Sequence, residues 1–153
     1  MDNWRPRHET VILIPCASTK PFHMSITHRN FLRHLWDAWL NDKIDLVIVS
    51  EPLTVIPAEY DYPEPIYPIY DYPPNLIKEK NDFSKIERSI WRYRFTLFMR
   101  LIGKKKCFFI LYPYHRYILG GILERFCVRG IYVERPYLTK GINLLNSLIT
   151  CLM

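Results

Sequence analysis

Hydrophobic positions follow two rhythms along this chain. Unbroken apolar runs, led by Val11–Ile14 and recurring within Asp45–Ser50 and Cys107–Tyr112, are the pattern of strands buried on both faces of a parallel sheet. Strands are therefore predicted at Thr10–Pro15, Asp45–Ser50 and Cys107–Tyr112, with a shorter one at Ile131–Val133. The other rhythm is helical. Phe31, Leu32, Leu35, Trp36, Trp39 and Leu40 recur at three- and four-residue intervals and predict a helix over Asn30–Leu40, with Ser25 available as an N-cap. A second helix is predicted from a cap at Asp82 or Ser84 to about Leu101, burying Ile86, Ile90, Leu97 and Leu101, and Gly103 ends it. A third follows Pro113 to about Cys127, weakened by Gly120 and Gly121. A last apolar helix is predicted over about Lys140 to Leu152.

Residues 1–9 read as an irregular lead-in, and 57–82 as a proline- and tyrosine-rich loop whose X-Pro steps disfavour helix. Strands alternating with helices imply a three-layer α/β sandwich around a mainly parallel four-stranded sheet. Its 153 residues suit one domain. No apolar run approaches the roughly 20 residues that span a bilayer, so a cytoplasmic location without membrane association is expected. Cys107, Cys127 and Cys151 sit among apolar residues and read as small buried hydrophobes. The absence of glutamine, with abundant Ile, Tyr, Arg and Lys, leans toward a heat-adapted source, where an intracellular disulfide is an open option.

Charge sharpens the picture. The net +6 is unevenly spread: acids outnumber bases between Glu51 and Asp82, whereas Lys85–Lys106 sets eight basic residues against Glu87 alone. Such a run is ordinarily a solvated face, and it is also what tracks nucleic-acid phosphates.

Reactive side chains concentrate between Pro15 and His28, immediately after the first strand. Cys16, Lys20, Ser25 and His28 lie here, with Pro15 and Pro21 restricting the backbone. In an open α/β sheet, a loop at the carboxyl end of a strand is where ligands bind. Cys16, His23 and His28 match no common zinc spacing and lack an evident fourth ligand, so no metal and no cofactor is expected.

The spacing of Pro15-Cys16, Lys20-Pro21-Phe22, Ser25 and His28 resembles the signature of the archaeosine synthase family, which is related to tRNA-guanine transglycosylases. Phe22 stands where that family usually has tyrosine. A second stretch, Ser50-Glu51-Pro52-Leu53-Thr54-Val55-Ile56-Pro57-Ala58-Glu59, resembles another block of the family, with Thr54 in place of a glycine. The similarity runs from about Val11 to about Tyr117. It implies a uracil-DNA-glycosylase-like α/β domain acting on tRNA, here without the flanking domains of long family members, for which 153 residues leave no room.

The resemblance implies a reaction: addition of the side-chain amine of free lysine to the nitrile of 7-cyano-7-deazaguanine in tRNA. Such chemistry needs a nucleophile, a proton source and a base. Cys16 is the candidate nucleophile and His28 the proton carrier, while Lys20 lowers the thiol pKa or binds an anion, and Ser25 caps the helix or donates to the developing charge. Ser50, Glu59, His115 and Arg116 are assigned to substrate binding, and Arg88, Arg92, Lys104 and Lys105 to RNA. Expected partners are tRNA, free lysine and a separate tRNA-guanine transglycosylase subunit. Two rival readings stand beside this one. The domain could be a non-catalytic tRNA-binding subunit, favoured by Phe22 and Thr54, or a base-excising glycosylase, suggested by fold analogy alone.

Overall fold

The structure, a computed structural model, describes residues 5–15, 44–50, 54–57, 85–103, 106–127, 129–134 and 143. Five strands, β1 (Thr10–Pro15), β2 (Asp45–Ser50), β3 (Thr54–Pro57), β4 (Lys106–Leu111) and β5 (Arg129–Tyr132), form one sheet in the order β3-β2-β1-β4-β5. Two helices among the described residues, α1 (Lys85–Ile102) and α2 (Pro113–Phe126), link β3 to β4 and β4 to β5. β1 is buried throughout and pairs in parallel with β2 and β4, as its unbroken apolar sequence requires. β4 pairs in parallel with β5, whereas β2 and β3 are antiparallel. The architecture is thus an α/β fold with a mixed sheet.

Among the described residues the sheet has five strands where four were expected. The extra strand, β3, lies inside the second motif: β2 ends at Ser50, the chain turns, and Thr54 pairs back against Ser50. Its Val55 and Ile56 suit a strand. Pro57 is tolerated because β3 is an edge strand.

The larger correction concerns α1. Ile90 and Leu97, expected in the core, are each 46% exposed, and Leu101 is half-buried. The buried side chains are Trp91, Phe95, Phe98, Met99 and Ile102. At 100° per residue these five share one face, while Ile90, Tyr93 and Leu97 form a second apolar stripe pointing outward. Two stripes compete for one sheet, and the one holding three large aromatics removes more surface from water.

β5 begins two residues before its expected start. Gly130 makes this possible. A Cβ there would overlap the ring of Phe109, its partner across the ladder, so the Phe109 ring fills the space a side chain would take.

At the amino edge of the sheet, the buried Asp45 secures the lead-in. Its Oδ2 accepts the backbone N–H of Arg7 at 2.7 Å and of His8 at 2.8 Å, and its Oδ1 lies 3.3 Å from Nδ1 of His8. Among the described residues no helix is long and apolar enough to cross a membrane. The helices predicted at Asn30–Leu40 and Lys140–Leu152, and the loop over 57–82, lie outside the described residues, apart from Pro57, which closes β3, and Asn143, which is helical.

Candidate functional site

Parallel strands β2-β1-β4-β5 leave β1 in opposite directions: β2 lies on one side of it and β4 on the other. The carboxyl ends of β1 and β4 therefore mark the topological switch point, where open α/β sheets bind ligands. β1 ends there at Pro15, one residue before Cys16, and in register beside Val49 of β2. The first motif and the Ser50 end of the second thus leave adjacent strands at one edge. β3 then runs back toward the opposite edge, from Thr54 to Pro57, before Glu59 is reached.

β4 delivers Tyr112 to the same edge. Pro113 opens α2 at N1, where a missing N–H costs nothing. Tyr112 and His115 close on each other: the Tyr112 N–H donates to Nδ1 of His115 at 3.1 Å, and the His115 N–H donates to the Tyr112 carbonyl at 3.0 Å. A backbone N–H can only donate, so Nδ1 is an acceptor and the neutral ring carries its proton on Nε2. His115 is fully buried, stacked with the Tyr112 ring at 6.0 Å between centroids and edge-on to Trp91 at 6.4 Å.

Arg116, the neighbouring candidate, is exposed. Its guanidinium carbon lies 5.9 Å from the ring centroid of Tyr132, the last residue of β5. The Tyr132 hydroxyl is buried and has no hydrogen-bond partner among the described residues. Burial first, then the carboxylate of Glu124, pushes its pKa up to about 12. Gly120 keeps this corner open, since a Cβ there would meet Cγ of Arg116 at 3.3 Å and the Tyr132 hydroxyl at 3.8 Å.

α1 also reaches this edge. Its C-terminus connects through Gly103 to β4 at the amino edge, and 18 residues span about 27 Å, longer than the six-residue strands beneath. Its amino-terminal half thus lies toward the switch point, as the Trp91–His115 contact requires. Arg88 is half-buried and Arg92 exposed, on the flank between the buried face and solvent.

Of the residues expected in the site, the structure brings the backbone of Ser50, and His115, Arg116, Arg88 and Arg92, to or toward one edge. Cys16, Lys20, Ser25, His28, Glu59, Lys104 and Lys105 lie outside the described residues. Tyr112 and Tyr132 were not singled out from sequence. Their signal was an aromatic closing or directly following an apolar strand.

The chain resembles known proteins in three ways. Over 69 residues it is 29% identical to an archaeosine synthase of Methanocaldococcus jannaschii, a match covering 41% of this chain and 12% of that protein. This chain therefore spans a small fraction of that relative's length. The fold is similar to the crystal structure of AF0587, a protein of unknown function, with a TM-score of 0.64 and 20% identity over 95% of this chain and 46% of the other. Residues 1–93 match the family described as a domain of unknown function, DUF5591, a span holding both sequence motifs and the strands that present them. On that match the chain belongs to the DUF5591 family.

Proposed function

We propose that this protein modifies tRNA in the manner of an archaeosine synthase, adding an amine, with free lysine as the donor, to the nitrile of 7-cyano-7-deazaguanine. One observation carries the reading. β1 ends at Pro15 beside the switch point, and in the sequence the reactive motif begins at the very next residue. The likeness to the archaeosine synthase of M. jannaschii supports the same substrate class.

In this mechanism the Cys16 thiolate adds to the nitrile carbon, and the nitrogen takes a proton from His28 to give a thioimide. The amine of lysine then adds to that carbon. Its proton passes to His28, the carbon–sulfur bond breaks, and an amidine and free Cys16 remain. Lys20 steadies the thiolate. Ser25 donates to the developing charge and Ser50 recognises the base or the incoming amino acid, whereas Glu59 follows a strand that runs away from this edge and takes no part in the step. Arg116 offers its guanidinium to a carboxylate or phosphate at the rim. His115 supports this rim by holding the start of α2. Arg88 and Arg92, with Lys104 and Lys105, follow the RNA backbone.

The fold reading extends in the same direction. A connection between β1 and β2 that obeyed the right-handed rule would cover the face opposite α1 and α2, and would complete the expected three-layer, uracil-DNA-glycosylase-like arrangement. Phe22 and Thr54 favour the second reading, a tRNA-binding subunit that accompanies a separate transglycosylase.

Incubation with nitrile-bearing tRNA and labelled lysine tests these readings. Label transferred by the wild-type protein and lost in Cys16→Ser supports the synthase. Binding without transfer supports the accessory subunit, and undiminished transfer by Cys16→Ser removes Cys16 from the nucleophile role.

A further inference from the structure

Two cysteines far from the switch point meet in the fold. Cys107 opens the buried part of β4, and Cys127 is the C-cap of α2, where its N–H donates to the Leu123 carbonyl at 2.8 Å. Their Sγ atoms lie 3.3 Å apart in a thiol–thiol hydrogen bond, and both are free. Cys107 is completely buried and Cys127 half-buried. Nothing in the proposed reaction uses either.

We propose that Cys107 and Cys127 form a dithiol that closes to a disulfide, bolting the C-terminus of α2 to β4. α2 is already held at its other end by the Tyr112–His115 pair. The bond would fix both ends of the helix that borders the switch point.

The oxidant is a small-molecule disulfide. Only Cys127 is reachable, so its thiolate attacks the reagent, forming a mixed disulfide and releasing one thiol. The Cys107 sulfur, already in contact, then gives up its proton and attacks Sγ of Cys127, expelling the second thiol. In sum, two protein thiols and one reagent disulfide yield one protein disulfide and two reagent thiols. The hydrogen bond with Cys127, then burial, holds the Cys107 thiol well above its usual range, so the second step is slow at neutral pH. This suits a structural cross-link better than a rapid exchanger.

The test equilibrates the full chain in buffers of oxidised and reduced glutathione, quenches, alkylates after unfolding, and maps peptides by mass spectrometry. A Cys107–Cys127 linked peptide is expected, with a melting temperature raised by about 5 °C or more over the reduced protein. Cys127→Ser should abolish both the peptide and the shift. Full alkylation of Cys107 and Cys127 in oxidising buffer, or pairing of either with Cys16 or Cys151 instead, would overturn the proposal.

Discussion

The backbone N–H of Tyr112 points at Nδ1 of His115, 3.1 Å away, and the His115 N–H returns a hydrogen bond to the Tyr112 carbonyl. The imidazole therefore terminates a helix whose first N–H groups have no partners within it. Because the ring is buried, it also fills space among Trp91 and Tyr112. His115→Ala should cost about 2–4 kcal/mol in urea unfolding, combining a cavity with an orphaned donor. Arg116→Ala, which removes an exposed cation over a ring, should cost below about 1 kcal/mol. Equal costs would show that His115 is not a structural cap.

Gly130 and Phe109 make a second dependent pair. Gly130→Ala should destabilise by about 2–3 kcal/mol, because the new methyl occupies the place of the Phe109 ring. Combining it with Phe109→Leu should recover part of that loss. A double-mutant cycle checks the coupling, and strict additivity would contradict the packing described here.

Asp45 accepts two backbone N–H groups on one buried oxygen. Asp45→Ala should lower stability by about 3 kcal/mol, since hydrogen bonds to a charged group are the strong ones and both donors lose their acceptor. Hydrogen exchange at Arg7 and His8 should accelerate in the same variant. Unchanged protection of those amides would refute the anchoring role.

Tyr132 gives a pH signature. Its folded-state pKa, pushed up to about 12, exceeds the ordinary tyrosine value near 10, so the folded protein holds this proton more tightly than the unfolded chain. The contribution is whole below about pH 10 and is lost as pH rises through about 12. Denaturation of wild type and Tyr132→Phe side by side should show the variant losing less stability across that interval. At neutral pH the variant should be as stable as wild type or slightly more so, because a buried hydroxyl without a partner among the described residues is removed.

The two faces of α1 predict opposite sensitivities. Phe95→Ala should cost about 3–5 kcal/mol and Leu97→Ala less than about 1 kcal/mol, although the residues are only two apart. Chemical denaturation of the two variants distinguishes this arrangement from one that buries Ile90 and Leu97.

The amino-acid sequence determined β1 and β2 to the residue, and β4 and α2 within about a residue. Strands buried on both faces are legible without their partners, because short runs rich in Val and Ile and bounded by Pro or polar turns favour a strand over a helix. The sequence also placed a reactive motif directly after the central strand. Four features waited for the tertiary structure: which stripe of α1 turns inward, that Thr54–Pro57 folds back as a strand, that His115 caps α2, and that Cys107 meets Cys127. Each depends on contacts between segments or on a competition between two locally adequate choices. Local periodicity ranks neither, and only the sheet against which the chain packs selects one.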